Sequence, residues 1–128
     1  MAIDLERHVL FVGGGPNTVM MDAKTGKVLA SAAICRGTDA TWFDAGTHML
    51  LVACGDGHIT MLKVAGDTLT VAQTIETTRG ARTMALDPVT HRIYTAAPAY
   101  QPAAPGAPAG TRPTAVPDSF RVLIFEMK

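Results

Sequence analysis

The sequence predicts an all-β chain built from repeated antiparallel units. An aspartate followed four residues later by a histidine occurs three times, at intervals of 40 and 43 residues: Asp4/His8, Asp44/His48 and Asp87/His91. Short apolar runs and turns rich in glycine or polar residues surround each pair, and no segment has the 3.6-residue period of an amphipathic helix. Units of about 40 residues that each contain four short strands are typical of β-propeller blades.

The first unit, residues 1–39, contains four predicted strands, at 2–4, 9–12, 18–21 and 27–34. The second of these is wholly apolar, which is typical of a strand buried between two layers. Gly13 to Asn17 then breaks the run with residues that tolerate positive φ, and the polar segment from Asp22 to Gly26 predicts the next turn. The unit is therefore predicted to be a small antiparallel meander.

The second unit, residues 40–82, repeats this order with predicted strands at 41–43, 49–53, 58–64 and 68–76. Gly55 to Gly57 supplies a tight turn between its second and third strands. Threonine and valine dominate the last strand, which suits a half-exposed outer position.

The third unit, residues 83–128, begins in the same way with apolar runs at 83–86 and 92–95 and then departs from the pattern. Residues 98–117 hold six of the eight prolines of the chain, so we expect an extended, mobile loop with polyproline character. A third strand is predicted at 120–125, and no fourth follows. The prediction is one domain, a partial β-propeller of about three four-stranded antiparallel blades, the last one incomplete.

The charge of the chain disfavours two classes of partner. Eleven basic and eleven acidic residues are scattered singly and give a net charge of zero, so no electrostatic footprint for nucleic acid or an anionic membrane is present. No apolar run approaches the roughly 18 residues of a membrane span. The first residues lack the features of a signal peptide, which taken literally predicts a cytoplasmic protein.

The two cysteines, Cys35 and Cys54, are too few to define a disulfide framework. The favoured interpretation is two small buried hydrophobic side chains, with a disulfide as the alternative.

Three strand segments and one longer segment carry a family resemblance: Leu10–Val12, Leu50–Val52, Ile93–Thr95 and 17–28. In this arrangement the chain resembles the YVTN-repeat, YncE-like family of β-propellers. The resemblance implies a seven-bladed ring that is exported to the periplasm or secreted and that binds ligands or macromolecules, in some members DNA, at one face.

The chain is shorter than such a ring. Met1 precedes Asp4 by three residues, as Met84 precedes Asp87, and the last unit has no fourth strand. We therefore expect the C-terminal part of a ring, with unpaired strand edges and apolar flanks that promote self-association.

Three charged residues form the candidate ligand-binding site, because propeller topology brings the loops that carry them to one face: Asp39, Arg79 and Arg82. In the functional interpretation the two arginines bind an anion such as a carboxylate or phosphate. In the favoured structural interpretation Arg82 pairs with Asp39 across the blade boundary.

Neither a metal site, a cofactor nor a set of catalytic residues is predicted. The three repeated histidines belong to separate blades and cannot converge on one ion, and the repeated aspartates are interpreted as turn formers. Gly13 to Gly15 lacks the helix and lysine of a phosphate loop.

The leading hypothesis is a non-catalytic scaffold that binds a small anion or a macromolecule at the face where the inter-blade loops meet. The alternative is a lactonase- or dehydrogenase-like propeller whose active site is completed by further blades. Nucleic-acid binding is a third hypothesis, which the zero net charge disfavours.

Overall fold

A computed structural model of the chain describes residues 1–102, 105–106, 108, 111 and 113–127. It contains three antiparallel sheets of four, four and three strands, called here the first, second and third blade. No helix occurs within the described ranges. Accordingly, that part of the chain has no helix with the length and apolar character needed to cross a bilayer.

Each blade is a meander whose strands pair in sequence order. The first blade comprises β1 Ala2–Asp4, β2 Val9–Gly14, β3 Asn17–Asp22 and β4 Val28–Ala33. The second comprises β5 Thr38–Asp44, β6 Met49–Cys54, β7 His58–Ala65 and β8 Thr68–Glu76. The third comprises β9 Met84–Leu86, β10 Arg92–Ala97 and β11 Arg121–Glu126, with β10 in the centre. The predicted partial β-propeller with an incomplete last blade is confirmed.

The blades pack face to face, and strand β6 of the second blade is buried between the first and third blades. Successive side chains of a strand point to opposite faces, so an apolar run can serve two cores at once. One core lies between the first and second blades and contains Phe11, Met20, Leu50, Val52 and Cys54. The other lies between the second and third blades and contains Leu51, Ala53, Ile59, Leu86 and Ile93.

The first strands of the blades lie side by side, β1 next to β5 and β5 next to β9. The indole Nε1 of Trp42 in β5 donates a hydrogen bond to the carbonyl of Met84 in β9, at 2.9 Å.

The β2 strand extends through Gly13, where a turn is predicted. A Cβ at Gly13 would lie 2.6 Å from Cγ2 of Thr38, so the close approach of β2 to β5 requires glycine.

The repeated aspartate–histidine pairs build the turns between the first and second strands. The three histidines all have positive φ, of 55° or 56°. Each aspartate accepts a hydrogen bond from a backbone N–H of its own turn: Arg7 to Asp4, Gly46 to Asp44, and Val89 to Asp87. The prediction that the aspartates are turn formers is confirmed.

The proline-rich insertion is anchored at its base. The N–H of Gln101 donates to the carbonyl of Thr114 at 2.8 Å, and that of Val116 donates to the carbonyl of Ala99 at 2.9 Å. The two ends of the predicted loop 98–117 thus pair with each other, while its mobility stays a prediction. Part of the expected polyproline segment (103–104, 107, 109–110 and 112) lies outside the described residues.

Candidate functional site

The tight turn between β6 and β7, residues Gly55 to Gly57, contacts both segments that connect neighbouring blades. The N–H of Gly55 donates to the carbonyl of Gly37 at 2.8 Å. Gly37 lies in the segment between the first and second blades, which we call the first connection. The carbonyl of Gly55 accepts a hydrogen bond from the N–H of Gly80 at 3.0 Å. Gly80 lies in the segment between the second and third blades, which we call the second connection. The loops that the sequence places on one face therefore meet at this turn.

The closeness of these loops depends on residues without a side chain. Gly57 has φ of 95°, and a Cβ there would lie 2.9 Å from the backbone nitrogen of Arg79. Gly80 has φ of 85°, and a Cβ there would lie 2.8 Å from the phenol oxygen of Tyr100. Glycine allows both the positive φ and the close contact. Tyr100, at the base of the insertion, consequently packs directly on the connection that carries the arginines.

An open cleft of about 420 Å³ lies beside this turn, and we call it the arginine cleft. Its lining residues come from the turn, the second connection and the insertion: Gly55, Arg79, Gly80, Arg82, Tyr100 and Pro113. Two arginines and a tyrosine, whose side chains carry hydrogen-bond donors, are among these lining residues, a composition suited to an anion.

Asp39 is positioned beside the arginine cleft by the start of β5. Its Oδ2 lies 3.8 Å from Nε of Arg82, and the two side chains are 48% and 60% exposed, respectively. This distance exceeds that of a hydrogen bond, and exposed ion pairs contribute about 0–1 kcal/mol. The predicted contact across the blade boundary is thus present as a loose ion pair.

The structure brings all three predicted site residues to one face, although Asp39 is not among those that line the cleft. Arg79 forms no ion pair with any carboxylate in the described part of the chain. Sequence reasoning missed Tyr100, which lies in a segment whose proline content predicts mobility. No local pattern signals that this aromatic residue folds back onto Gly80.

Cys35 and Cys54 form a disulfide with a Cα–Cα distance of 5.8 Å. The favoured prediction of two separate thiols is wrong. The first connection runs alongside the β6–β7 turn, where the N–H of Asp56 donates to the carbonyl of Arg36 at 3.2 Å, and this pairing aligns the two cysteines. Because that contact is between distant segments, the sequence contains no direct sign of it.

A second open cleft, of about 360 Å³, lies next to the disulfide and includes Cys35, Asp56 and His58 in its lining. The Asp56 carboxylate accepts hydrogen bonds from the N–H of Arg36 at 2.8 Å and from Nδ1 of His58 at 3.2 Å. Burial raises the pKa of the Asp56 carboxyl, but these two partners lower it by more, so the net pKa lies below its ordinary value. The carboxylate is therefore ionised at neutral pH.

The repeated histidines lie in the turns at the other end of β1–β2, β5–β6 and β9–β10, away from both clefts. Nδ1 of His91 donates to Oδ2 of Asp44 at 2.7 Å across the second blade boundary, since a carboxylate can only accept. That histidine therefore joins two blades.

Comparison of the chain with known protein families and with curated proteins found no match. The resemblance to YVTN-repeat propellers therefore stays a prediction from the sequence.

Proposed function

We propose that this chain is a non-catalytic binding scaffold that holds a small anion in the arginine cleft. The observation that carries the proposal is the convergence of Arg79, Arg82 and Tyr100 on one open space of about 420 Å³. Guanidinium groups donate paired hydrogen bonds that match the oxygens of a carboxylate or phosphate. The blades supply a rigid support, and the chemistry of recognition comes from the loops.

Asp39 would compete with such a ligand. Its carboxylate is the closest negative charge to Arg82, and the exposed pair is loose enough to be opened by a ligand oxygen. Binding of an anion therefore exchanges one weak charge contact for several hydrogen bonds. Removal of the Asp39 charge should then increase anion affinity, whereas a site with no ligand would show no such effect.

Calorimetric titration with inorganic phosphate at low salt tests the proposal. Arg82→Gln should weaken binding by about tenfold, the effect of losing one charge-assisted hydrogen bond, while Asp39→Asn should strengthen it. Lys27→Gln is the matched control, because Lys27 is an exposed residue in the β3–β4 turn. Equal phosphate binding by the Arg82 and Lys27 variants would overturn the proposal.

We further propose that a second copy of the chain is a partner. The outer face of the third blade carries Tyr94 paired with Ile124 and Ala96 paired with Val122. By the repeat interval, Tyr94 and Ala96 correspond to Leu51 and Ala53, which pack into the core between the second and third blades. An equivalent blade surface, such as that of another copy, is the surface that this face fits.

The outer face of the first blade is the complementary half. It carries Ile3 paired with Leu10, and Met21 paired with Val28. Leu10 corresponds by the repeat interval to Leu50, which packs against the first blade. The first blade of one copy and the third blade of another therefore present the same two kinds of face that already meet twice inside the chain. Edge strand β11 lies beside this contact and is the blade edge at which the sequence predicts association.

The disulfide supports the export that the family resemblance implies, because disulfides persist mainly in oxidising compartments. We therefore propose a periplasmic or secreted location and a YVTN-type ring architecture as the setting of the scaffold. The enzymatic alternative and nucleic-acid binding stay predictions from the sequence.

A further inference from the structure

The Cys35–Cys54 disulfide lies within a group of metal-binding side chains that anion binding does not use. The two sulfurs and a carboxylate oxygen of Asp56 lie within 4.8 Å of one another. His58 is not one of these three residues, but its Nδ1 lies 3.2 Å from Oδ1 of Asp56. Two sulfurs, one carboxylate and one imidazole are the ligand types that bind zinc in proteins.

Three of these four residues alternate around the β6–β7 turn. Cys54 ends β6, His58 begins β7, and the two are directly paired across the strands. Asp56 is at the centre of the turn. Cys35 reaches the group from the connection between the first two blades, where its N–H donates to Oγ1 of Thr60 at 3.0 Å. The tertiary fold thus brings Cys35 next to the three residues of the β6–β7 turn.

The construction of a blade does not require these residue types. The corresponding cross-strand pair in the first blade is Gly14 and Asn17, and in the third blade it is Ala97 and Arg121. Both blades form the same antiparallel pairing with other side chains. The cysteine, aspartate and histidine of the second blade are therefore additions to the repeat.

We propose that, after reduction of the disulfide, this group binds one zinc-like divalent metal ion through the thiolates of Cys35 and Cys54, the carboxylate of Asp56 and the imidazole of His58. Zinc binds sulfur at about 2.3 Å and nitrogen or oxygen at about 2.0–2.1 Å, with tetrahedral geometry. In the oxidised chain Nδ1 of His58 donates to Oδ1 of Asp56 at 3.2 Å, and metal binding replaces this hydrogen bond by a bond from each atom to the ion. Oδ2 of Asp56 is held by the N–H of Arg36, so Oδ1 is the oxygen that would bind the ion.

The two states exclude each other, because the sulfurs of a tetrahedral zinc site are about 3.8 Å apart and cannot also be bonded together. A dithiol reductant supplies two electrons and two protons to the disulfide and itself becomes a cyclic disulfide, which yields two cysteine thiols. Metal binding then releases both thiol protons to solvent, and the His58 proton that Nδ1 donates to Asp56 moves to Nε2, so that Nδ1 is free to bind the ion. Either the disulfide or the ion ties the first connection to β6.

Cobalt titration of the full chain tests this proposal. The protein is reduced with a dithiol, separated from it without oxygen, and titrated with Co²⁺. We expect one equivalent per chain to produce the cobalt–thiolate charge-transfer band and the visible bands of tetrahedral cobalt, and Zn²⁺ to abolish both. The oxidised chain should show neither.

The variants distinguish a metal site that uses Asp56 and His58 from metal binding by the two cysteine thiols alone. Asp56→Asn and His58→Gln should each weaken Co²⁺ binding by more than about tenfold, the loss expected even for residues that only support a ligand. Asp22→Asn and His48→Gln, the same substitutions at turns outside the group, should leave it unchanged. Absence of the bands in the reduced protein, or equal affinity in all four variants, would overturn the proposal. If reduction abolishes the β-sheet circular dichroism signal, Co²⁺ must restore it, and failure to do so also overturns the proposal.

Discussion

The Asp44 side chain links a turn of the second blade to a turn of the third. It is 1% exposed, and it accepts hydrogen bonds from the N–H of Gly46 at 3.1 Å, the hydroxyl of Thr47 at 2.7 Å and Nδ1 of His91 at 2.7 Å. Gly46 makes the last bond accessible, since a Cβ there would lie 2.8 Å from Cε1 of His91. One buried carboxylate thus satisfies its own turn and a neighbouring blade.

Asp44→Ala should lower the free energy of unfolding by about 2 kcal/mol, because it removes three hydrogen bonds and leaves the partners of a buried carboxylate unsatisfied. Asp87→Ala is the matched control, because Asp87 accepts equivalent bonds in an exposed turn. Asp87→Ala should lower the free energy of unfolding by less than Asp44→Ala does. Urea unfolding followed by circular dichroism measures both values, and equal losses would show that the bond to His91 does not stabilise the blade boundary.

Two turn aspartates should make the stability of the chain sensitive to acid. The pKa of Asp22 is lowered mainly by the N–H of Thr25 and that of Asp87 mainly by the hydroxyl of Thr90, both of which donate to the ionised form. A carboxyl whose pKa is lower in the folded state stabilises the fold fully above its unfolded value, about 3.9 for aspartate. The contribution is lost as pH falls through the folded pKa.

The free energy of unfolding should therefore decline below about pH 4, and Asp22→Asn should make that decline shallower. Urea titrations between neutral pH and pH 3 measure the effect. Glu6→Gln, at an exposed position in the first blade, is the comparison variant. A decline of the same steepness in Asp22→Asn and the unmodified chain would contradict the assignment.

The strands are predictable from the sequence because their causes are local. The apolar run at 9–12 predicts a strand buried between two layers, but in β2 only Val9 and Phe11 are buried, both in the core between the first and second blades. The strand covered on both faces is β6, whose Leu50 and Leu51 pack into different cores. The face where the inter-blade loops meet was also predictable, because the repeat determines which connections emerge on the same side of the blades. Asp39 and Arg82 meet there as the structural interpretation requires.

The contacts among loops could not be predicted in the same way. The disulfide depends on hydrogen bonds between the first connection and the β6–β7 turn, which are distant in sequence. The position of Tyr100 against Gly80 depends on how the base of the insertion folds. Both are decided by which segments meet in space, and strand periodicity carries no information on that.

The disulfide should contribute strongly to stability because it closes a loop between residues 19 positions apart. Substitution of both cysteines by alanine should reduce the free energy of unfolding by about 3 kcal/mol, the value expected from the restricted unfolded chain. Urea unfolding of the double variant and of the oxidised protein gives the difference. An unchanged midpoint and slope would mean that backbone pairing alone holds the first connection in place.

The whole molecule ends in two apolar faces that differ from each other. A shallow apolar groove of about 290 Å³ crosses the outer face of the third blade, where Val122 and Ile124 are each 58% exposed. Val28 on the outer face of the first blade is 51% exposed. Contact between unlike faces is heterologous, and two copies can close it into a ring if each third blade covers the first blade of the other.

We therefore predict that the chain sediments above its monomer mass and that Ile124→Lys or Val28→Lys lowers the association constant, because each places a charge in an apolar contact. Val89→Lys is the control, because Val89 is exposed at a turn outside both faces. The two face variants mixed together should regain part of the association, since each supplies the intact face that the other lacks. Sedimentation equilibrium distinguishes the cases: a monomer at every concentration, or no recovery on mixing, would contradict heterologous packing of the blades.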